Sequence, residues 1–226
     1  MQLAERTRLA AIGEFTTGIV HELRTPLATV ALALDYLRGS ELPPAAARRV
    51  ALATTEADRM SRLLSDVLQY ARPLTLSLST VDAHELVRRV IEDHEQLRSA
   101  GHSVDLTPPG APPAIVNADA DRLTQVILNL TTNALEASPA GGIVSWQIAA
   151  SGDSVHLTVS NAGEEITPSR RERVFEPFFT TKAGGTGLGL SIVKRIIDAH
   201  GGDITVESGP DTTRFSIRLP RRAGAD

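Results

Sequence analysis

Apolar side chains in the first part of the chain recur at steps of three or four. Phe15, Ile19, Leu23, Leu27, Val30, Leu34 and Leu37 mark one face of a helix running from residue 1 to about residue 38. Gly39-Ser40-Glu41-Leu42-Pro43-Pro44 breaks it. A second helix is expected from about Pro44, since proline is tolerated in a first turn. Its stripe is Val50, Ala53, Ala57, Met60, Leu64, Val67 and Ala71, with steps of three and four alternating throughout, as in a heptad seam. Two such helices joined by a short turn make an antiparallel hairpin, and a lone hairpin leaves apolar surface wet. Two copies close a four-helix bundle, so a homodimer is expected.

After Arg72-Pro73 the periods mix. Asp82 can cap a helix reaching about Arg98, and Asp119 or Asp121 can open another through about Ala137, with Leu123, Val126, Ile127 and Leu130 on one face. Val144, Trp146 and Ile148 alternate with polar residues, as do Val155, Leu157 and Val159. Ile204 with Val206, and Phe215 with Ile217 and Leu219, repeat that pattern, so half-buried antiparallel strands are expected. A helix from about Leu190 to His200 stops at Gly201-Gly202. The second region reads as a sheet covered on one face by helices. The fold class is thus a helical hairpin over residues 1–72 followed by an α/β sandwich over residues 73–226.

Composition narrows the function. The chain has 226 residues with 42% hydrophobic and 22% charged content, ordinary for a globular protein, and a formal net charge of −4, which argues against broad nucleic-acid binding. It has no cysteine, so disulfides and thiolate metal sites are excluded, which suits the cytoplasm. No run approaches the roughly 18–20 apolar residues of a membrane span, and the N-terminus lacks a signal-peptide core, so no membrane contact is expected within the chain. It opens inside a helical pattern, which suggests a piece of a longer protein.

Three stretches carry the chemistry. His21-Glu22-Leu23-Arg24-Thr25-Pro26-Leu27 places an imidazole on the polar side of the first helix. Glu22 can take the proton of one ring nitrogen and leave the other a free lone pair, and Thr25 shares the histidine's face. Pro26 inside a strong helix costs about 3 kcal/mol, a local conflict of the kind that marks function. Asn129-Leu130-Thr131-Thr132-Asn133 sets two amides four apart on one helical face among Val126, Ile127, Leu130 and Ala134. Amide oxygens are hard ligands that suit Mg²⁺, and an unpaired amide would be costly there. Gly184-Gly185-Thr186-Gly187-Leu188-Gly189-Leu190 precedes a helix, and such glycines let backbone N–H groups approach phosphates. The remaining histidines, His84, His94, His102, His156 and His200, show no metal-ligand spacing.

The first stretch, with the preceding Leu9-Ala10-Ala11-Ile12-Gly13-Glu14-Phe15 and Gly18-Ile19-Val20, resembles the histidine box of sensor histidine kinases of two-component systems. The asparagine stretch resembles that family's asparagine box. Phe175-Glu176-Pro177-Phe178-Phe179-Thr180-Thr181-Lys182, followed by the glycine run, resembles its phenylalanine box and second glycine box. The resemblance implies the GHKL (Bergerat) ATP-binding fold, with ATP and Mg²⁺ as cofactors. It implies phosphorylation of His21 from ATP, with Glu22 assisting, and transfer to an aspartate of a response regulator. Thr25 would orient water in dephosphorylating that partner. Asn133 would be the Mg²⁺ ligand, with Asn129 positioning the metal or its waters. Gly185, Thr186, Gly187, Leu188 and Gly189 would wrap the phosphates under a mobile lid, and Lys182 would reach one of them. Related ATPases of the gyrase and heat-shock type carry a glutamate where this chain has Asn129, and an amide takes no proton at neutral pH, so hydrolysis is disfavoured.

The family's first glycine box aligns with Asn161-Ala162-Gly163-Glu164-Glu165-Ile166. Asn161 replaces the aspartate that accepts from the adenine amino group, and Glu165 replaces a glycine. A neutral bond in place of a charge-assisted one is expected to weaken ATP binding about five- to tenfold. If the backbone at Glu165 needs positive φ, a further cost of about 1 kcal/mol arises there. The alternative to a kinase is therefore a nucleotide-binding scaffold with a weakened ATP site.

Overall fold

The computed structural model describes residues 23–71, 73–94, 97, 102–110, 112–182 and 185–221. Two compact units emerge. Of the described residues, one unit gathers those up to Pro73 with those in 180–188; the other gathers those in 74–179 and from Gly189 on.

The first unit is the expected hairpin. Helix α1 is described over residues 23–38, and α2 spans Pro44–Ala71. Leu23–Leu37 keep their period, and the turn closes by N–H donation from Gly39 to Asp35 O (3.3 Å) and from Ser40 to Leu37 O (3.1 Å). Ala46 and Ala47 donate to Pro43 O, so Pro44 sits in the first turn, where its missing N–H costs nothing. The α2 stripe is wider than a single seam. Ala57 and Leu68 are buried on one line, whereas Met60 (56% exposed), Leu63 and Leu52 lie on an adjoining strip. At 100° per residue that strip lies roughly 60–140° round the axis from Ala57. In α1, Leu27 is buried while Leu23, Val30 and Leu37 are exposed.

In the second unit, five strands form one sheet in the order β2-β4-β5-β7-β6: β2 Ser103–Leu106, β4 Ile143–Ser151, β5 Ser154–Asn161, β6 Asp203–Ser208 and β7 Thr213–Pro220. The alternating positions read from sequence all fall in strands, and Val144, Trp146, Val155, Leu157, Val159, Ile217 and Leu219 are buried. Four of the strands pair antiparallel as expected, but β2 runs parallel to β4 with Val104 opposite Val144. A separate two-stranded sheet joins β1 (Ser79–Asp82) to β3 (Ile115–Ala118), with Val81 opposite Val116. Helices α3 (Ala83–Asp93), α4 (Ala120–Ala137) and α6 (Gly189–Ala199) supply the covering layer, and α5 (Pro168–Arg171) is a single turn.

Helix starts obey their caps. Asp82 accepts from His84 N (2.9 Å) and Glu85 N (3.2 Å), and Asp119 accepts from Arg122 N (3.0 Å). The third helix stops at Asp93, short of the expected Arg98, where the His94 ring turns back to Val90 O (2.9 Å). The end of α6 is tied to the start of α4. Asp119 N donates to His200 Nε2 (3.0 Å), so the ring proton sits on Nδ1, which donates to Ile196 O (2.8 Å). Behind the sheet, Trp146 Nε1 donates to Thr131 Oγ1 (3.1 Å), which donates to Ile127 O (2.7 Å), so both buried polar groups are satisfied. Among the described residues no helix is long and apolar enough to cross a membrane.

Candidate nucleotide site

In the sheet-bearing unit, packing of α4 against α6 positions the asparagine pair. Leu123, Val126, Ile127 and Leu130 are each 1% exposed and fix the rotation of α4. Asn129 and Asn133 then fall half-buried on the side facing the first residue of α6. A Cβ built on Gly189 would lie 3.9 Å from Asn129 Cγ and from Asn133 Nδ2, and Asn129 Nδ2 donates to Gly189 O (3.4 Å). The two amides thus stand at a helix N-terminus, where backbone N–H groups favour anions. Among the described residues no group of three or more His, Cys, Asp or Glu side chains could hold a metal. A hard cation here would rest on amide oxygens, water and oxygens of the anion itself, a donor set that fits Mg²⁺.

The carboxylate that caps α4 is electrostatically set. Burial alone would raise the Asp119 carboxyl, but the N–H groups of Ser77 (2.8 Å) and Arg122 outweigh it and hold the group below the ordinary carboxylate value. Midway along α6, Lys194 bridges Asp198 (2.9 Å) and Asp203 (3.1 Å). The Asp198 and Asp203 contacts raise Lys194 against its partial burial, and the Lys194 contact lowers Asp203.

Asn161 ends β5 and is 4% exposed. Its amide nitrogen donates to Ala162 O (3.3 Å), which leaves the amide oxygen as the group that can accept from a base. Gly163 has no room for a side chain: a Cβ would lie 2.5 Å from Ala137 O, at the end of α4, and 3.0 Å from Asn161 Nδ2. The loop therefore needs glycine for close approach. The strain considered for Glu165 is not present. Glu165 is exposed, and among the described residues the positive-φ position without glycine is Phe178, at 65°. Phe178 is also 63% exposed, whereas Phe175 meets Phe215 edge-on at 6.3 Å and Phe179 lies 4.5 Å beneath the Arg173 guanidinium. Two of the three phenylalanines thus anchor the segment, and the third is held out on a strained backbone.

The sequence reading missed a hydroxyl network next to Asn161. Thr213, 4% exposed, stands opposite Asn161 across β5 and β7. Its Oγ1 lies 2.6 Å from Ser208 Oγ, which accepts from Ile166 N (2.9 Å). Thr212 Oγ1 donates to Asn161 O (3.3 Å). Thr212-Thr213 at the head of an alternating strand was the signal available.

In the hairpin unit, Thr25 lies exposed on α1, and its carbonyl accepts from Thr29 Oγ1 (3.2 Å). His21 and Glu22 lie outside the described residues. Within the loop 180–188, Lys182 N donates to Thr180 Oγ1 (3.1 Å), Gly185 N donates to Lys182 O (3.1 Å), and Gly187 takes φ 69°. Leu188 is fully buried. Thr186 Oγ1 donates to Asp66 Oδ2 of α2 at 2.6 Å, a partner the motif did not suggest.

Comparison with known proteins converges on one family. The family described as "His Kinase A (phospho-acceptor) domain" matches residues 11–75, and "Histidine kinase-, DNA gyrase B-, and HSP90-like ATPase" matches residues 118–223. The sensor histidine kinase ZraS of Escherichia coli K12 is 36% identical over 225 residues, covering 97% of this chain and 48% of its own length. The chain thus spans about half the length of the curated relatives it matches. Full-length ShkA, solved in complex with AMPPNP, is 31% identical with a TM-score of 0.75, over 94% of this chain and 47% of that one. Histidine kinase ThkA in complex with the response regulator TrrA is 29% identical with a TM-score of 0.71, over 96% and 64%. Its catalytic domain alone is 34% identical with a TM-score of 0.57, over 64% of this chain and 96% of that one. A hairpin matching the phosphoacceptor family, joined to a sheet unit that sets paired asparagines against a glycine-opened helix, places this chain in the family of two-component sensor histidine kinases.

Proposed function

We propose that this chain is the kinase core of a two-component sensor: it transfers the γ-phosphoryl group of ATP to His21 and passes it to an aspartate of a response regulator. Residues 1–72 act as the dimerisation and phosphotransfer domain, and residues 73–226 as the ATP-binding domain. The observation that carries this reading is the apposition of Asn129, Asn133 and Gly189, which sets neutral oxygen donors beside anion-binding backbone. Asn133 and Asn129 would hold Mg²⁺, which when bound neutralises charge on the triphosphate. Asn161 accepts from the adenine amino group through its oxygen. Residues 185–189 offer N–H groups to the phosphates, and Lys182 adds a positive charge.

The chain's own chemistry lies in positioning. Glu22 accepts the proton of one His21 nitrogen, so the other nitrogen keeps its lone pair and attacks the γ-phosphorus in line, with ADP leaving. Asn129 cannot accept a proton, so water beside it is not activated. Thr25 orients water when the partner's phosphoaspartate is hydrolysed. The exposed strip of Leu52, Met60 and Leu63 on α2, with the exposed Val30 and Leu37 of α1, supports the homodimer, because a second hairpin would cover such apolar surface. ShkA with AMPPNP and ThkA with TrrA support the nucleotide and the response regulator. The chain is placed in the cytoplasm on this reading.

Incubation with γ-labelled ATP tests the proposal. Wild type should gain acid-labile, alkali-stable label, His21→Gln none, and Asn133→Ala little. Nucleotide binding without label in the wild type would instead mark a scaffold, and phosphate release independent of His21 an ATPase.

A further inference from the structure

The described residues of the loop 180–188 belong to the same compact unit as α2, and the Thr186 hydroxyl ends on a carboxylate of its own chain. Leu188 N donates to Thr186 Oγ1 (3.4 Å), and Thr186 Oγ1 donates to Asp66 Oδ2 (2.6 Å), a residue 120 positions earlier. Thr186 and Asp66 are half-buried, and Leu188 is fully buried. A hydrogen bond to an ionised acceptor is about twice as strong as a neutral one, and 2.6 Å is the length such an O–H···O⁻ bond takes. Asp66 thus does for the glycine loop what a phosphate oxygen would do: it presents a full negative charge to a hydroxyl and, through it, to a backbone N–H. Like charges cannot share those donors at close range, so carboxylate and triphosphate exclude one another.

We propose that Asp66 is an autoinhibitory latch, an internal stand-in for phosphate that holds Thr186 and its loop on α2 until nucleotide displaces it. This deepens the reading of residues 185–189 as a phosphate-binding loop and rests on it. The latch lowers ATP affinity in the resting protein. It also makes any movement of α2 at Asp66 a change in nucleotide affinity, because the two equilibria are linked.

Calorimetric titration of the whole chain with MgATP tests the latch in wild type, Asp66→Ala and Asp66→Asn. Asp66→Ala is expected to bind about three- to tenfold more tightly than wild type, the loss of one charge-assisted bond. Asp66→Asn keeps the shape with a neutral acceptor and is expected to fall between them. Its use also guards against a folding defect in the alanine variant. Without nucleotide, amide hydrogen exchange in residues 185–188 is expected to speed up in Asp66→Ala, a local effect that a general loss of stability would not confine to the loop. Equal or weaker ATP binding in both variants, with wild type binding normally, overturns the latch. Failure of all three proteins to bind any nucleotide overturns the reading of the loop itself, and the latch with it.

Discussion

Replacing Gly163 by alanine adds one carbon where the structure has no space. The new Cβ would lie 2.5 Å from Ala137 O and 3.3 Å from Ala137 C, both backbone atoms, so no side chain can swing aside. A carbon and an oxygen in ordinary contact sit about 3.3 Å apart even in the closest C–H···O arrangements, so roughly 0.8 Å must be recovered by moving backbone. Gly163 does not have positive φ, so the conformation itself suits alanine and the cost is purely one of space. Overpacking of this kind costs about 1–3 kcal/mol, and the loop that moves carries Asn161 two residues away. A thermal midpoint lower by roughly 2–12 °C is expected, at about 2–4 °C per kcal/mol for a chain of this size. ATP affinity should fall about two- to tenfold, since misplacing Asn161 loses its bond to the base. Gly110→Ala is the control, because nothing lies within 4 Å of a Cβ there. Scanning calorimetry and nucleotide titration of both variants decide the matter. If Gly163→Ala melts and binds like Gly110→Ala, the steric reasoning is wrong.

Other outcomes follow from single contacts. Thr131→Val leaves the buried Trp146 N–H without its acceptor and should destabilise by about 1–3 kcal/mol; the chain's one tryptophan reports this directly in denaturant titrations followed by fluorescence. Asp119 and Asp203 are both held below their ordinary values, so the stability they contribute is fully present above about pH 4 and is lost as pH falls through their lower folded values. Acid unfolding of Asp119→Asn should therefore depend less on pH in that range, and an unchanged acid limb would count against the cap's role. Met60→Glu puts a charge on the exposed apolar strip of α2, which should shift a wild-type dimer toward monomer in sedimentation equilibrium while leaving helix content intact.

What the sequence made legible was whatever local chemistry decides. Asp82, and Asp119 as one of two candidates with Asp121, announced their helices because a β-region aspartate satisfies the first free N–H groups in any context. The four long strands announced themselves by alternation, with one face buried and the other wet. The four-residue strands did not. β1, β2 and β3 are too short for a period to emerge, and β2 finds its parallel partner only through tertiary packing. The glycine and asparagine boxes were readable as motifs, but why Gly163 must be glycine depends on where α4 ends. Glu165 would be strained only if its backbone took positive φ, and among the described residues without a glycine's freedom that conformation falls on Phe178 instead, since φ follows the path of the loop rather than residue type. Asp66 and Thr186 meet across 120 residues, and no spacing rule reaches that far.

The central claim is that His21 receives the phosphoryl group. Tandem mass spectrometry of the chain after brief exposure to MgATP, digested and separated at alkaline pH where phosphohistidine survives, tests it most directly. A single phosphorylated peptide with the modification on the His21 imidazole is the predicted result. A phosphorylated serine, threonine or aspartate with His21 unmodified, or full nucleotide occupancy with no modified peptide at all, would contradict it.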